Sequence, residues 1–338
     1  MARQEIKDLK AGDKVLEFYL VKSKRNKMTR TNKAFLDLDL ADKTGAINAK
    51  IWDNAESFSE MFERGDVIKV KGVVEDYQGA RQLKVQTLQP AGEKGEFDWA
   101  DLLKSTPLDR DAMRAYLEEQ IASIKDDYLR ALLQAFFTDE SFTGPFFTAA
   151  AARNVHHAYL GGLLEHTVKV TRIAAFAARE LYPDQVDRDL LVAGAILHDI
   201  GKMRELDSSA EISYTAEGYL IGHVVIGASM LRERAAAIPD FPPRLLIELE
   251  HILLSHHGER EWGAPVVPMT PEAMIIHYAD NMDAKTQIAL SAVADDPNPD
   301  EQFTEYHKTM ARHFYKGPNG SMGTASGPGK SKGGSGKP

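Results

Sequence analysis

The chain has 338 residues, which predicts more than one folded unit because single domains cluster near ~100–150 residues. Apolar residues make up 43% and charged residues 27%, and no segment approaches the ~20 consecutive apolar residues of a bilayer span. We therefore expect no transmembrane protein and, from the charged start of the chain, a cytoplasmic location. The absence of cysteine excludes disulfides, thiolate zinc sites and a cysteine nucleophile, which leaves His, Asp and Glu for a strong metal site.

The net charge of −9 is unevenly distributed along the chain. Residues 1–92 hold 17 Lys and Arg against 14 Asp and Glu, whereas residues 93–315 hold 20 against 36. A basic run without any acid lies between Glu17 and Asp37, and such a run either attracts phosphates or forms a solvated loop. We therefore expect residues 1–92 to bind any nucleic acid. The acidic residues 93–315 should bind a polyanion only where it is delivered locally or where metal ions neutralise its charge.

Residues 13–88 alternate between apolar and polar side chains, which predicts five β-strands. Turn residues separate the second strand from the third and the fourth from the fifth, and residues 55–62 form a short helical stretch after the third. This is the order of elements in an OB-fold. The alternation places six residues in the barrel core: Leu36, Leu38, Leu40, Ile47, Ala49 and Ile51.

The opposite side of the second and third strands carries Phe35, Lys50 and Trp52, where OB-folds stack bases. Asp37 and Asp39 share this side and would repel phosphates, and an exposed Trp52 would equally suit packing against a second domain. We predict that single-stranded nucleic acid contacts this side and the basic run. The predicted contacts are Lys24, Arg25, Lys27, Arg30, Phe35, Lys50 and Trp52.

The rest of the chain shows helical spacing of apolar residues. Pro and Gly near residues 89–95 end the barrel, and helical patterns follow at 110–138, 163–181, 190–203, 223–237, 244–257 and 271–293. We expect a multidomain protein of β followed by all-α class, with a five-stranded OB-fold barrel at residues 1–92, a linker with packing helices at 93–149 and a helical bundle at 150–315. The Gly-, Ser- and Lys-rich residues 316–338 are expected to be disordered.

Ligand-type residues recur in the helical part in the order H, HD, H, H, D. They are His166, His198, Asp199, His223, His256 and Asp280. Each lies on or at the end of a predicted helix, so a bundle could direct all of them to one centre. A lone helical histidine is more often a core or cap residue, but six positions in this order favour a site for Mn, Fe, Co, Zn or Ni. The pair at 198–199 also ends a very apolar run, where ionisable groups are costly unless they are ligated or hydrogen-bonded.

This pattern resembles the HD-domain phosphohydrolase superfamily, whose motif H…HD…H…H…D binds one or two divalent metals on a helical bundle. Residues 198–202 read HDIGK, a form of that motif. The resemblance covers residues 150–295, and with the preceding barrel the whole chain resembles the YhaM-type 3′-5′ exoribonucleases. It implies an HD-domain bundle with metal ligation by the six residues, Asp199 bridging two ions. We expect two divalent metal ions and favour Mn²⁺, with Co²⁺, Fe²⁺ and Mg²⁺ as alternatives.

Asp199, Lys202 and His257 are the candidate catalytic residues. Lys202 either offers a point charge to a phosphate or lies at a solvated helix end. His257 adjoins His256, and adjacent side chains on a helix diverge by about 100°, so we do not expect both to reach the same ion. We therefore expect His257 either to contact the metal ligands or to act at the leaving group.

The resemblance implies hydrolysis of single-stranded RNA from the 3′ end to nucleoside 5′-monophosphates by metal-activated water, and it leaves single-stranded DNA open as a second substrate. Two alternatives stay open. One is an HD-type nucleotide or cyclic-dinucleotide phosphohydrolase that the barrel regulates, and the other is a non-catalytic single-strand-binding accessory protein. We expect no membrane partner, and the helices near 110–138 leave a homo-oligomer open.

Overall fold

The computed structural model describes residues 3–29, 31–91, 96–152, 157, 159–207, 212–298 and 300–318. The predicted contact Arg30 and residues 319–338 of the predicted tail lie outside these ranges. The chain divides into two compact units, residues 1–280 and residues 281–338. Within the described ranges, no helix combines the length and the apolar composition that crossing a membrane requires.

The front of the chain forms a closed five-stranded barrel in which the strand neighbours run β1-β2-β3-β5-β4. The strands are β1 (Lys14–Met28), β2 (Ala34–Asp42), β3 (Gly45–Ile51), β4 (Val67–Tyr77) and β5 (Ala80–Pro90). The pairing of β3 with β5 is parallel, and the pairings of β1 with β2 and β4, of β2 with β3 and of β4 with β5 are antiparallel. Helix α1 (Ala55–Ser59) follows β3 and is shorter than the predicted stretch. The OB-fold prediction is therefore confirmed.

The barrel core contains the residues that alternation placed there. All six predicted core side chains are buried, and the most exposed of them, Ile47, keeps only 4% of its surface accessible. Burial of a Leu or Ile side chain contributes about 1.5–3 kcal/mol relative to exposure. The inward faces of β2 and β3 therefore stabilise the barrel whose outward face is the candidate nucleic-acid surface.

Helices dominate the described chain after the barrel and confirm the all-α prediction. They are α2 (Arg110–Ala122), α3 (Asp127–Phe137), α4 (Glu140–Thr148), α5 (Gly162–Phe176), α6 (Arg188–Leu197), α7 (Lys202–Glu205), α8 (Ala216–Leu220), α9 (His223–Ala235), α10 (Pro243–Ser255) and α11 (Pro271–Ala294). Short 3-10 helices span Ile6–Asp8, Trp99–Asp101 and Arg260–Trp262, and a π-helical turn at Ala177–Leu181 continues α5. The two-residue strands β6 (Leu206–Asp207) and β7 (Ser213–Tyr214) pair between α7 and α8.

The helix predicted over residues 190–203 is interrupted, because α6 ends at Leu197 and α7 begins at Lys202. The intervening turn carries His198 and Asp199. A Cβ atom on Gly201 would lie only 1.9 Å from the backbone oxygen of His223, so the turn passes directly against the start of α9. This close approach brings the turn that carries His198 and Asp199 next to the predicted ligand position His223.

The described part of the second unit ends with irregular backbone held by isolated bridges. Phe303 pairs with Tyr315 and His307 with Arg312. Lys316 is buried, and its Nζ lies 2.7 Å from Asp296 Oδ1. The predicted tail boundary at residue 316 and the boundaries at 92 and 149 stay predictions.

Candidate metal centre

A first group of ligand-type atoms converges from α5, the turn after α6 and α11. Nε2 of His166 lies 3.2 Å from Nε2 of His198 and 3.1 Å from Oδ1 of Asp280. Oδ2 of Asp199 lies 3.3 Å and 3.4 Å from the same two imidazole nitrogens. Two imidazoles and two carboxylates therefore face one point.

A second group lies on the other side of the same carboxylate. His223, His256 and His257 each offer one ring nitrogen, and these three atoms lie within 4.8 Å of one another. Oδ1 of Asp199 is 3.5 Å from Nε2 of His223 and 3.5 Å from Nε2 of His256. The two oxygens of Asp199 thus face different groups, which is the geometry of a carboxylate that bridges two cations.

His256 and His257 lie closer together than the expectation that they would not reach the same ion implied. Helix α10 ends at Ser255, and both residues lie in the turn that follows. The two rings lie 4.4 Å apart, and Nε2 of His257 lies 3.2 Å from Nε2 of His223. His257 therefore belongs to the second group of ligand-type atoms.

Hydrogen bonds at Nδ1 direct four of these imidazoles. The pairs are His198 with the Ala195 oxygen at 2.7 Å, His256 with the Leu253 oxygen at 2.7 Å, His223 with Glu205 Oε1 at 2.8 Å and His257 with the Trp262 oxygen at 2.9 Å. Because these oxygens only accept hydrogen bonds, Nδ1 carries the proton and the Nε2 lone pair faces the centre. Such partners fix the orientation of imidazoles that ligate metals.

Sequence reasoning missed Glu205 and Trp262 as partners of the ligand positions. Glu205 lies on the short helix α7, and its Oε1 accepts hydrogen bonds from both the backbone nitrogen and Nδ1 of His223. The one available signal for Glu205 was an acid shortly after HDIGK, and a backbone carbonyl such as that of Trp262 gives no signal in a sequence. Both contacts depend on chain reversals that only the structure reveals.

Oδ1 of Asp199 and Nε2 of His256 are buried at the centre and have no hydrogen-bond partner among the residues that the structure describes. An unsatisfied buried polar group costs about 1–3 kcal/mol, and more when it is charged. Both atoms belong to the second group and lie 3.5 Å apart. A divalent cation bound between them would satisfy both, so the residues of this chain fit the metals that the pattern implies.

The carboxylates of the centre are ionised. Burial raises the pKa of Asp199, but the charges of Lys202 and then His198 lower it by more. The pKa of Asp199 therefore lies well below its usual range. Burial also raises the pKa of Asp280, and the hydrogen bond from His166 more than offsets this. Ionised carboxylates are the form that binds divalent cations.

His256 and His257 favour the neutral form. Burial, together with the neighbouring His256 and His223, lowers the pKa of His257 to about 3. Burial also lowers the pKa of His256, although Asp199 opposes the effect. Neutral imidazole is the ligand form, so these side chains are ready to bind a cation at neutral pH.

Lys202 does not lie at a solvated helix end, and that alternative is wrong. The residue is 7% exposed, and its Nζ donates to Oδ2 of Asp199 over 2.6 Å. Burial lowers the pKa of Lys202, but the charge of Asp199 raises it above its usual value. The side chain is therefore a buried cation beside the carboxylate that both groups share.

The outward face of the barrel brings Phe35, Lys50 and Trp52 together. The rings of Phe35 and Trp52 stack with centroids 4.7 Å apart, and Nζ of Lys50 lies 5.6 Å from the Phe35 centroid. Asp37 is buried, and its carboxylate pairs with Lys27 and Lys50 at 2.5 Å each. The acid that was expected to repel phosphates is thus neutralised within the barrel.

The remaining predicted basic contacts are engaged in different ways. Arg25 pairs with Asp39 at 2.5 Å. Nζ of Lys24 donates to the backbone oxygens of Ser59 and Phe62 at 2.9 Å and 2.6 Å, beyond the end of α1. The partners of Lys24 are therefore not those of the Phe35–Trp52 stack.

Comparison with known proteins agrees with this architecture. A family model described as HD domain matches residues 163–285, and one described as OB-fold nucleic acid binding domain matches residues 20–91. The curated proteins named 3′-5′ exoribonuclease YhaM from Bacillus velezensis and Bacillus subtilis are each 35% identical over 305 residues, which are 90% of this chain and 95% of the relative. The protein of that name from a Geobacillus species is 34% identical and covers 90% and 92%.

Two solved structures are each similar to about a quarter of this chain. The second OB-fold domain of replication protein A from Methanococcus maripaludis is 19% identical, with a TM-score of 0.23, and covers 28% of this chain and all of that domain. The mitochondrial single-stranded DNA binding protein Rim1 from S. cerevisiae is 13% identical, with a TM-score of 0.22, and covers 24% and 95%.

The barrel, the helical bundle and its bridged ligand groups define a metal-dependent enzyme of the HD-domain class that carries an OB-fold. The relatives extend over nearly the whole chain, including both of these parts. The chain belongs to the YhaM family of 3′-5′ exoribonucleases.

Proposed function

We propose that this protein is a 3′-5′ exoribonuclease that hydrolyses single-stranded RNA, and also single-stranded DNA, to nucleoside 5′-monophosphates. The observation that carries the proposal is the position of Asp199 between two groups of ligand-type atoms. The family and the names of its curated members support the substrate and the direction. A phosphodiester resists attack because its anionic charge repels nucleophiles, and a centre for two cations addresses this barrier.

His166, His198, Asp280 and Oδ2 of Asp199 would hold one divalent cation. Oδ1 of Asp199, with the second-group residues His223, His256 and His257, would hold the other. When bound, such cations neutralise phosphate charge as Lewis acids and lower the pKa of water to near ~7. Imidazole and carboxylate ligands together suit Mn²⁺, Fe²⁺, Co²⁺, Zn²⁺ or Ni²⁺, and of these we propose Mn²⁺.

The side chains of this chain prepare the centre for that substrate. Lys202 keeps Asp199 ionised and adds a positive charge close to where a phosphate oxygen would bind. Because His257 is neutral and its Nε2 faces His223, we assign it to the second cation rather than to proton donation at the leaving oxygen. Asp199 then has the central role, since it touches both groups.

The barrel would hold the single strand upstream of the 3′ end. The stacked Phe35 and Trp52 offer an aromatic surface for bases, which every base can use. Lys27, Lys50 and Arg25 surround it, but their pairing with Asp37 and Asp39 reduces the net attraction for phosphates. Stacking should therefore contribute more than backbone charge on this face.

A labelled oligonucleotide tests the proposal directly. Purified protein with Mn²⁺ should shorten 5′-labelled single-stranded RNA from the 3′ end and release nucleoside 5′-monophosphates. The variant with both His198→Ala and Asp199→Ala should still bind RNA but lose turnover, because both ligand groups lose a member. Turnover of free nucleotides or cyclic dinucleotides alone would instead favour the nucleotide phosphohydrolase, and equal activity of the double variant would indicate a contaminating nuclease.

A further inference from the structure

An exposed apolar cluster lies on the connection between the HDIGK segment and His223. We call Tyr214, Tyr219, Leu220 and Ile221 the tyrosine cluster; their exposed fractions are 38%, 68%, 86% and 51%. The rings of Tyr214 and Tyr219 are in contact, with centroids 4.9 Å apart. Single exposed apolar residues are ordinary on proteins, but four large ones within eight positions mark a surface that binds a partner or ligand.

The position of the cluster is fixed relative to the metal centre. The backbone nitrogen of Thr215 donates to the oxygen of Glu205 at 2.9 Å, and its hydroxyl donates to the oxygen of Arg204 at 2.7 Å. The carboxylate of the same Glu205 holds the ligand position His223. One residue therefore anchors both the cluster and the imidazole.

The cluster also lies within reach of a nucleotide at the centre. Leu220 precedes His223 by three positions, so their Cα atoms are at most ~11 Å apart. A Cβ atom on Gly218 would lie 2.3 Å from the oxygen of Glu205, which shows that α8 lies directly against α7. His223 is 12% exposed at its side chain, whereas His198 and His166 are fully buried, so the second group lies nearer the surface that the cluster occupies.

We infer that the tyrosine cluster binds a nucleobase near the 3′ end of the single strand by stacking while the adjoining phosphate occupies the metal centre. The inference rests on the proposed exoribonuclease function. Residues 93–315 hold 20 basic against 36 acidic side chains, so attraction of the RNA backbone is a poor means of holding substrate there. Aromatic stacking needs no charge and accepts every base, as an enzyme that removes successive nucleotides requires.

The test compares an ordinary single-stranded RNA with one whose last two nucleotides lack their bases. The variants are Tyr214→Ala with Tyr219→Ala, Tyr219→Phe, and Tyr182→Ala as a control that removes another exposed tyrosine of the helical part. Stacking is worth ~1–3 kcal/mol per base, so the double variant should lose about fivefold to 100-fold in kcat/KM on ordinary RNA. For the double variant, kcat/KM on abasic RNA should be little lower than on ordinary RNA. The abasic penalty is the loss of kcat/KM when the terminal bases are absent. The wild type and the Tyr182→Ala variant should show the full penalty, and Tyr219→Phe should show most of it.

The outcomes separate the inference from the function on which it rests. If the wild type degrades neither RNA, the exoribonuclease proposal fails and the stacking inference fails with it. If the wild type is active but the double variant, folded by circular dichroism, keeps the same abasic penalty, only the stacking inference is overturned. Conversion of an oligomer to a monomer by light scattering, with that penalty unchanged, would assign the cluster to contact between copies of the chain and would also overturn it.

Discussion

At the residue scale, Gly258 fixes the turn that carries two of the imidazoles. Its backbone has a φ of +81°, and a Cβ atom there would lie 2.1 Å from Cε1 of His277. Nδ1 of His277 lies 2.9 Å from the backbone oxygen of His256, so this buried ring donates to the ligand position from behind. His277 thus supports the backbone of one residue of the second group.

We predict that Gly258→Ala displaces His277 and removes one of two bound metals. The added methyl group cannot fit beside the ring, since the three atoms nearest to it all belong to His277. His256 and His257 should therefore leave their positions, while the first group should keep its own. Metal content, measured by mass spectrometry after dialysis, should fall from about two ions per chain to about one, and RNA turnover should fall with it.

Gly263→Ala is the matched control for this change. Gly263 also has a positive φ, +93°, but its Cβ atom would meet Nδ1 of His257 at an ordinary 3.7 Å. It should therefore keep both metals at a similar backbone strain. Equal loss in both variants would assign the effect to strain instead of the His277 contact, and full metal content in Gly258→Ala would contradict the prediction.

At the element scale, local patterns predicted the strands well and the turns around the centre poorly. Alternation alone identified the barrel, because each strand buries one face. The split between α6 and α7 depends on Gly201 passing against the start of α9, and no periodicity within residues 190–203 records that contact. The direction of His257 likewise depends on where α10 ends, which the periodicity does not show.

Strand register explains why the acids of the barrel face were misread. Asp37 lies opposite Arg25 on β1 and Lys50 on β3, so the closed sheet surrounds this carboxylate with cations. Burial raises the pKa of Asp37, but hydrogen bonds from Lys27 and Lys50 bring it well below its ordinary value. A sequence shows that bases and acids occur on both strands but not that they pair.

We predict that Asp37→Asn destabilises the protein by about 1.5–3 kcal/mol at neutral pH, the range for hydrogen bonds to charged groups. Because the folded pKa is depressed, this stabilisation is complete above the ordinary Asp pKa of ~4 and is lost as the pH falls below it. The difference between wild type and variant in urea unfolding should therefore shrink on acidification.

Asp53→Asn supplies the control, because Asp53 pairs with Lys33 on the same barrel but its side chain is 84% exposed. An exposed pair contributes at most ~1 kcal/mol. Two results would show that the buried carboxylate does not stabilise β1, β2 and β3. One is a loss of unfolding free energy in Asp37→Asn no greater than in this control, and the other is a loss that stays unchanged at acidic pH.

At the scale of the whole molecule, the connection out of the barrel reaches the metal centre. Thr106, which follows the barrel and the 3-10 helix at Trp99–Asp101, donates through its hydroxyl to Oε2 of Glu165 over 2.6 Å. Glu165 immediately precedes His166, the ligand position on α5. The segment that joins the two parts of the chain therefore contacts the residue next to His166, and no motif in the sequence predicts this contact.

Division of labour between the two parts leads to a prediction about substrate length. If the barrel holds the strand and the helical bundle cleaves it, Phe35→Ala with Trp52→Ala should raise the KM for a long single-stranded RNA by about fivefold to 100-fold, since a stacked base is worth ~1–3 kcal/mol. A dinucleotide, too short to reach both parts, should be cleaved with an unchanged kcat. Steady-state kinetics on oligonucleotides of increasing length would measure both values.

Tyr77→Ala is a suitable control, because Tyr77 is an aromatic residue at the end of β4 and is 59% exposed. It should leave the KM unchanged at every length. If the Phe35 and Trp52 variant lost dinucleotide cleavage as strongly as cleavage of long RNA, the substitutions would disturb the helical bundle through the barrel. An unchanged KM for long RNA would show that the strand bypasses this face, and the barrel would then need another function than holding substrate.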